Sequence, residues 1–295
     1  MKILLTGKNG QLGWELQRTL ATRGTVVAPE RQIMDLSDPD SVRHAVRDIK
    51  PNLIVNAAAY TAVDKAETEP ELAMMVNGTV PGILAEEARN LGAAIVHYST
   101  DYVFDGTKST PYTEDDIPFP LSVYGKTKLA GERAIQTAGV PYFILRTSWV
   151  YGARGKNFLQ TILRLARERD ELRIVDDQIG APTWCRMIAE ATGQILAQCQ
   201  TPHAHGVMDV SGVYHLTAGG KTSWHGFTQA ILEHAPQFVG GASRPRLTPI
   251  TTAEYPLPAP RPMNSVLSND KLRHCFGLAQ PDWESALKLC LDGQP

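Results

Sequence analysis

The sequence predicts an α/β fold, a doubly wound parallel sheet followed by a smaller C-terminal unit. Short apolar runs recur from the N-terminus at residues 3–6, 26–28, 53–59, 94–99 and 142–149. Several of them are apolar at both alternating positions, as in strands covered by helices on both faces, where each side of the sheet meets a hydrophobic layer. Between them lie stretches of helical character at 11–23, at 39–49 with Asp38 as N-cap, at 69–91 and at 124–137. Strand and helix in that alternation make parallel βαβ crossovers. After Trp149 the rhythm loosens and proline and glycine accumulate, as in residues 256–262. The chain therefore divides near Tyr151 into residues 1–150 and 151–295, with segments 172–175 and 213–217 expected to return to the large sheet.

Gly7, Gly10 and Gly13 form G-x-x-G-x-x-G directly after the first strand and at the opening of the first helix. Glycines there allow a tight turn and close approach of a pyrophosphate, and the helix N-terminus offers free N–H groups to the anion. A glycine-rich turn with no ligand is the alternative for an isolated match. The position within a βαβ unit favours a Rossmann-type dinucleotide site in residues 1–150, leaving 151–295 mainly for substrate. An acidic residue about 20 positions on contacts the adenosine ribose in such folds, and Glu30 stands near the end of the second run. Arg31 follows it and can pair with the additional phosphate of NADP, so the two residues argue for different cofactors. Both can equally be solvated loop charges. Asp35 and Leu36 lie where a later loop can reach the adenine.

Tyr124 and Lys128 stand in Y-x-x-x-K, an i, i+4 pair that shares one face of a helix. A neighbouring ammonium favours the phenolate, so Lys128 is expected to lower the pKa of Tyr124 from about 10. Alone, this pattern more often marks a surface helix. It gains weight beside His97 to Phe104, a strand ending in hydroxyls and one carboxylate, because ligands of open α/β sheets bind beyond the carboxyl ends of strands. Thr100 can then hydrogen-bond a substrate oxygen, or simply cap the strand end.

Composition excludes other classes. At 295 residues and 43% apolar content the chain can bury a sizeable core. Its net charge of -2, with no Lys/Arg-rich block, leaves no electrostatic footprint for nucleic acid or an anionic membrane. Cys185, Cys199, Cys275 and Cys290 show neither Cys-x-x-Cys spacing nor close histidines, which argues against zinc and against a disulfide framework, and for a reducing cytoplasm. Met1 runs straight into a strand-like segment, so no secretory leader is expected. No apolar run approaches the ~20 residues that a membrane span needs.

Taken in order, the glycine loop, Asn56 to Ala59, Ser99 to Phe104, Tyr124-x-x-x-Lys128 and Arg146 to Gly152 resemble the extended short-chain dehydrogenases. More narrowly, residues 10–16, 61–67, 177–183, 214–220 and 261–265 resemble the dTDP-4-dehydrorhamnose reductases, so the likeness runs nearly end to end. The resemblance implies reduction of the C4 ketone of dTDP-4-dehydro-L-rhamnose by NADPH or NADH. It gives Tyr124 as proton donor, Lys128 as holder of the nicotinamide ribose and tuner of Tyr124, and Thr100 as the residue that orients the ketone. Gln11 and Leu12 join Gly7, Gly10 and Gly13 around the pyrophosphate, and Ala59, Tyr60, Thr61 and Tyr98 line the cofactor. Thr100, Asp101, Trp149 and Arg261 match substrate contacts, with a structural ion pair as the competing role for Arg261. Some members bind Mg2+ at a dimer interface through a glutamate that matches Glu15, but the second acidic ligand falls at Arg186, so the expectation is no metal, in a monomer or homodimer. Two other activities share the scaffold. A nucleotide-sugar epimerase or dehydratase shares the Tyr/Lys pair, and a regulatory subunit of the same fold would not need Thr100, Tyr124 and Lys128 together.

Overall fold

The computed structural model describes residues 1–199, 209–235 and 244–292. The N-terminal half runs β1 (Lys2–Thr6), α1 (Gln11–Leu20), β2 (Thr25–Val27), α2 (Pro39–Ile49), β3 (Leu53–Asn56), α3 (Val63–Ala66), α4 (Pro70–Met74), a π-helical turn (Met75–Thr79), α5 (Val80–Asn90), β4 (Ala94–Thr100), α6 (Val123–Thr137) and β5 (Tyr142–Thr147). The C-terminal half contains β6 (Val150–Tyr151), α7 (Phe158–Glu168), β7 (Glu171–Val175), β8 (Ile179–Gly180), β9 (Thr183–Trp184), α8 (Cys185–Gln198), β10 (Gly212–His215), β11 (Thr222–Ser223), α9 (Trp224–His234), β12 (Arg246–Ile250), α10 (Asp270–Phe276) and α11 (Trp283–Asp292).

Six parallel strands form the large sheet in the order β10-β5-β4-β3-β1-β2. The period-2 alternation of a strand splits its side chains between two apolar layers. Ile3 and Leu5 of β1 join Leu16, Ile188 and Phe276 on one face, whereas Leu4 joins Val42, Leu84 and Ile135 on the other. A third cluster around Phe227, Trp184 and Leu287 is the core of the C-terminal half. Asp38 caps α2, accepting from the N–H groups of Asp40 and Ser41, with Pro39 in the first turn.

Two sequence expectations change. Segment 172–175 does not reach the large sheet; as part of β7 it pairs in parallel with β12, while Val213–His215 of segment 213–217 do return, within β10. Helix α8 also crosses back from the second half, packing Ile188, Ala189 and Ile195 on the sheet face behind α1. The expected helix at 69–91 is continuous over residues 70–90 but carries a π-helical turn at Met75–Thr79. Pro81 has no N–H to give the carbonyl four residues back, Asn77, and the chain passes through the π turn at this point.

Candidate active site

The glycine loop between β1 and α1 has the shape an anion cradle requires. Gly7 adopts φ 72°, and a Cβ on Gly7 or Gly13 would lie 2.8 Å from Ala58 N or 2.0 Å from Gly7 O. Helix α1 begins at Gly10 with no side-chain cap, and its first internal bond is Trp14 N–H to the Gly10 carbonyl at 2.9 Å. The amides of Gln11, Leu12 and Gly13 therefore have no helical acceptor, which fits a pyrophosphate.

Beside this loop lies a cleft of about 460 Å³ whose walls include Gly7, Gly10, Glu30, Arg31, Asp35, Leu36, Ala59 and Tyr60. Other cofactor candidates are placed differently. The Gln11 side chain accepts from Asn157 Nδ2 at 2.8 Å, tying the loop to the second half of the chain, and Leu12 packs between two cores. Both are thus placed to act through their amides. Thr61 is exposed beyond Tyr60. The Tyr98 phenol points into the core, its hydroxyl 2.8 Å from Thr192 Oγ1, so its link to the site is its main-chain carbonyl.

Sequence reasoning missed Lys8 and Asn77. Lys8, inside the glycine loop, pairs with Glu30 at 2.7 Å, and this bond holds the Glu30 carboxyl below its usual range. A basic residue between the first two glycines was the available signal. Arg31 reaches Asp35 at 3.3 Å, and Asp35 also accepts from the Ser37 amide and hydroxyl. Asn77, in the π turn, grips the Tyr60 backbone at both ends: Tyr60 N donates to Asn77 Oδ1 at 2.8 Å, and Asn77 Nδ2 donates to Tyr60 O at 3.0 Å.

Thr100 ends β4 at the carboxyl edge of the sheet. Its hydroxyl donates to Asp101 Oδ1 at 2.9 Å and accepts from the Tyr102 amide at 3.1 Å. Ser122 caps α6 by accepting from Gly125 N at 3.1 Å, which places Tyr124 in the first turn. Gly125 is required by contact: a Cβ there would stand 2.2 Å from the Tyr102 carbonyl, so a larger residue would push the turn that carries Thr100 and Asp101 away from α6. The Tyr124 ring meets Tyr102 edge-on at 5.8 Å. Burial pushes the Tyr124 phenol up to about 12 against the opposing effect of its hydrogen bond with Thr100, with the Asp101 carboxylate raising it further. Burial also raises the Asp101 carboxyl to about 6.

Lys128 departs from the sequence expectation. Its Nζ lies 2.6 Å from the Tyr98 carbonyl oxygen and 3.3 Å from His97 Nε2, and it is not among the groups that shift Tyr124. Burial lowers its pKa to about 8, opposed by Glu132. The tuning of Tyr124 here comes from burial, Thr100 and Asp101.

Trp149 takes φ 46°, uncommon for a bulky side chain, and its indole stacks on Trp224 with centroids 3.5 Å apart. Arg261 forks onto Asp64 with bonds of 3.0 and 2.8 Å, so the ion-pair role holds its guanidinium in this structure. Glu15 faces both Arg186 and Glu190 across the α1/α8 contact; burial raises its pKa and Arg186 opposes that. Among the described residues no group of three potential metal ligands gathers there or elsewhere, and no helix is long and apolar enough to cross a membrane.

The family model described as RmlD substrate binding domain matches residues 1–294. The chain belongs to the RmlD family. A dTDP-4-dehydrorhamnose reductase of Burkholderia thailandensis is 52% identical over 293 residues, covering 99% of this chain and 98% of that protein. Among solved structures of RmlD-type proteins, a dTDP-4-dehydrorhamnose reductase of Clostridium acetobutylicum superposes with a TM-score of 0.90 at 39% identity, covering 99% of each chain. One from Bacillus anthracis, in complex with NADP, gives 0.90 at 33% identity, covering 99% of this chain and 98% of that one.

Proposed function

We infer that this RmlD-family protein is a dTDP-4-dehydrorhamnose reductase that converts the C4 ketone of dTDP-4-dehydro-L-rhamnose to the alcohol of dTDP-L-rhamnose, using NADPH or NADH. One observation carries the reading: Tyr124 meets Thr100 at the carboxyl end of β4, and Lys128, one turn further along α6, is bonded to the Tyr98 carbonyl of the same strand, on the sheet edge that also carries the glycine cradle. A regulatory subunit has no use for that trio, and the full-length similarity favours the reductase over an epimerase or dehydratase.

The amides of Gln11, Leu12 and Gly13 would hold the pyrophosphate of the dinucleotide, Glu30 and Arg31 would serve the adenosine ribose, and Lys128 would hold the nicotinamide ribose. The bound dinucleotide supplies hydride. Thr100 donates a hydrogen bond to the ketone oxygen as negative charge develops on it. Tyr124 then gives up its phenolic proton, and its raised pKa serves this direction of reaction, because the phenol is fully protonated at neutral pH when the oxyanion needs a proton. Asp101 and Trp149 border the sugar. Arg261, through Asp64, fixes the C-terminal segment over the loop after β3.

The direct test follows nicotinamide absorbance with purified protein, keto-sugar nucleotide generated in situ, and each reduced cofactor, with and without EDTA. The expected result is oxidation of both cofactors, NADPH being used no less well than NADH, with activity unchanged by chelation. No substrate-dependent oxidation would refute the reading. Loss with EDTA that Mg2+ restores would establish a metal requirement.

A further inference from the structure

One buried polar row is not accounted for by hydride or proton transfer to the sugar. Thr6, Asn56 and His97 are register partners on β1, β3 and β4, on the sheet face covered by α5 and α6, and the row ends at Lys128. All four side chains are at least 97% buried. Apolar residues occupy that face one step earlier on each strand, at Leu4, Ile54 and Ile95, so a polar row there is costly unless its bonds are made.

The donors and acceptors of the row can be assigned in sequence. Ala58 N–H donates to Thr6 Oγ1 at 3.1 Å, so the Thr6 hydroxyl proton needs another acceptor. Asn56 Oδ1 lies 2.6 Å away, a normal O–H···O distance and short for an amide N–H. This sets the amide orientation and turns Asn56 Nδ2 toward His97 Nδ1, to which it donates at 3.0 Å. Burial keeps His97 neutral, far below its ordinary pKa, with one lone pair and one N–H. With Nδ1 accepting, the proton sits on Nε2 and points at Lys128 Nζ, 3.3 Å away. Lys128 itself donates to the Tyr98 carbonyl. An ammonium has no lone pair, so the contact with His97 sets donor against donor unless Lys128 is a neutral amine.

We propose that His97, oriented by Asn56 and Thr6, is a positioning residue that sets the proton state of Lys128 by favouring its neutral amine until the cofactor binds. The titratable groups that face Lys128 are His97 from β4 and, on its own helix, Tyr124 one turn back and Glu132 one turn on, the latter paired with Arg146 of β5 at 2.7 Å; Tyr98 contributes only its main-chain carbonyl. Burial opposes the ammonium and Glu132 favours it; the His97 N–H, facing Nζ at 3.3 Å, adds a donor-against-donor contact that disfavours it further. Resting on the reductase reading, cofactor binding offers Lys128 ribose hydroxyls as acceptors. Lys128 then turns from His97 and takes up a proton from solvent, so the site gains its positive charge together with its cofactor.

The test is calorimetric binding of NADPH to the full chain at pH 8 in two buffers of different ionisation enthalpy, which counts protons taken up. A group titrating near 8 is half-charged at that pH, so the wild type is expected to take up about half a proton. In His97→Gln the amide oxygen can accept from the ammonium, so uptake should fall below that of the wild type while NADPH still binds, the remainder reflecting burial. Thr6→Val removes the hydroxyl that orients Asn56 and should also reduce uptake, and it decides the matter if His97→Gln fails to fold. Equal uptake in the wild type and a folded variant would overturn the proposal. Failure of the wild type to bind either NADPH or NADH would instead remove the reductase reading on which it stands.

Discussion

At the residue scale, the central assignment is Tyr124 as acid, and burial rather than a lysine sets its proton affinity. Tyr124→Phe should lower kcat by about 10²–10⁴-fold, the usual contribution of a positioned acid, with cofactor affinity nearly unchanged. Steady-state kinetics with a separate cofactor titration would check this, and a variant retaining a large fraction of kcat would remove Tyr124 from that role. The adenosine end yields a second prediction. Lys8 and Arg31 both stand at the cleft, with Lys8 bonded to Glu30. Loss of either cation should weaken NADPH more than NADH, because the additional phosphate is what each can pair with. In Lys8→Ala and Arg31→Ala, the ratio of KM for NADPH to KM for NADH should rise several-fold; an unchanged ratio would exclude that residue from phosphate recognition. The Y-x-x-x-K pattern made Tyr124 and Lys128 legible, but not the direction of the Lys128 ammonium. That depends on His97 and the Tyr98 carbonyl, which come from a strand about 30 residues away.

At the element scale, what the sequence hid was mostly long-range. The first five strands and α2 followed from apolar runs and capping residues, because those signals are local. Helical character over 69–91 was also real, but Pro81 interrupts its ladder, and the π turn that results delivers Asn77 to the Tyr60 backbone. The pairing of β7 with β12 was illegible because an edge of five residues carries no mark of its partner, which lies more than 70 residues on. The π turn gives a prediction. Asn77→Ala leaves the Tyr60 N–H and carbonyl without these bonds, which should cost about 1–3 kcal/mol and loosen the cleft wall. KM for cofactor should rise while kcat changes little. A drop in kcat alone would show that Asn77 acts elsewhere.

At the scale of the whole molecule, the site is assembled at some expense to the fold. Asp101 is 98% buried, and its carboxyl is raised from 3.8 to about 6 by burial, against hydrogen bonds led by that with Ser265. Folded protein then binds more protons than unfolded protein between those two values, so the contribution of Asp101 to stability falls as pH rises through that window and stays low above it. Asp101→Asn should therefore stabilise the fold above pH 6, by up to roughly 3 kcal/mol, and lose that advantage below pH 4. Urea melts at pH 4 and pH 8 would check the sign; a destabilised variant at pH 8 would show that the ionised form makes compensating bonds. The two halves of the chain also interleave, since α8 and β10 complete the layer and edge of the sheet that the N-terminal residues begin. The carboxyl end of β4 thus stands between the cleft beside the glycine loop and the pair in which Trp149 of the first half stacks on Trp224 of the second. The measurement that tests this most directly is a single turnover with keto-sugar nucleotide and reduced cofactor carrying deuterium at both positions of nicotinamide C4. The account predicts dTDP-L-rhamnose with deuterium at C4 of the sugar and one oxidised cofactor per product, whereas a product without that deuterium, or without net cofactor oxidation, would contradict it.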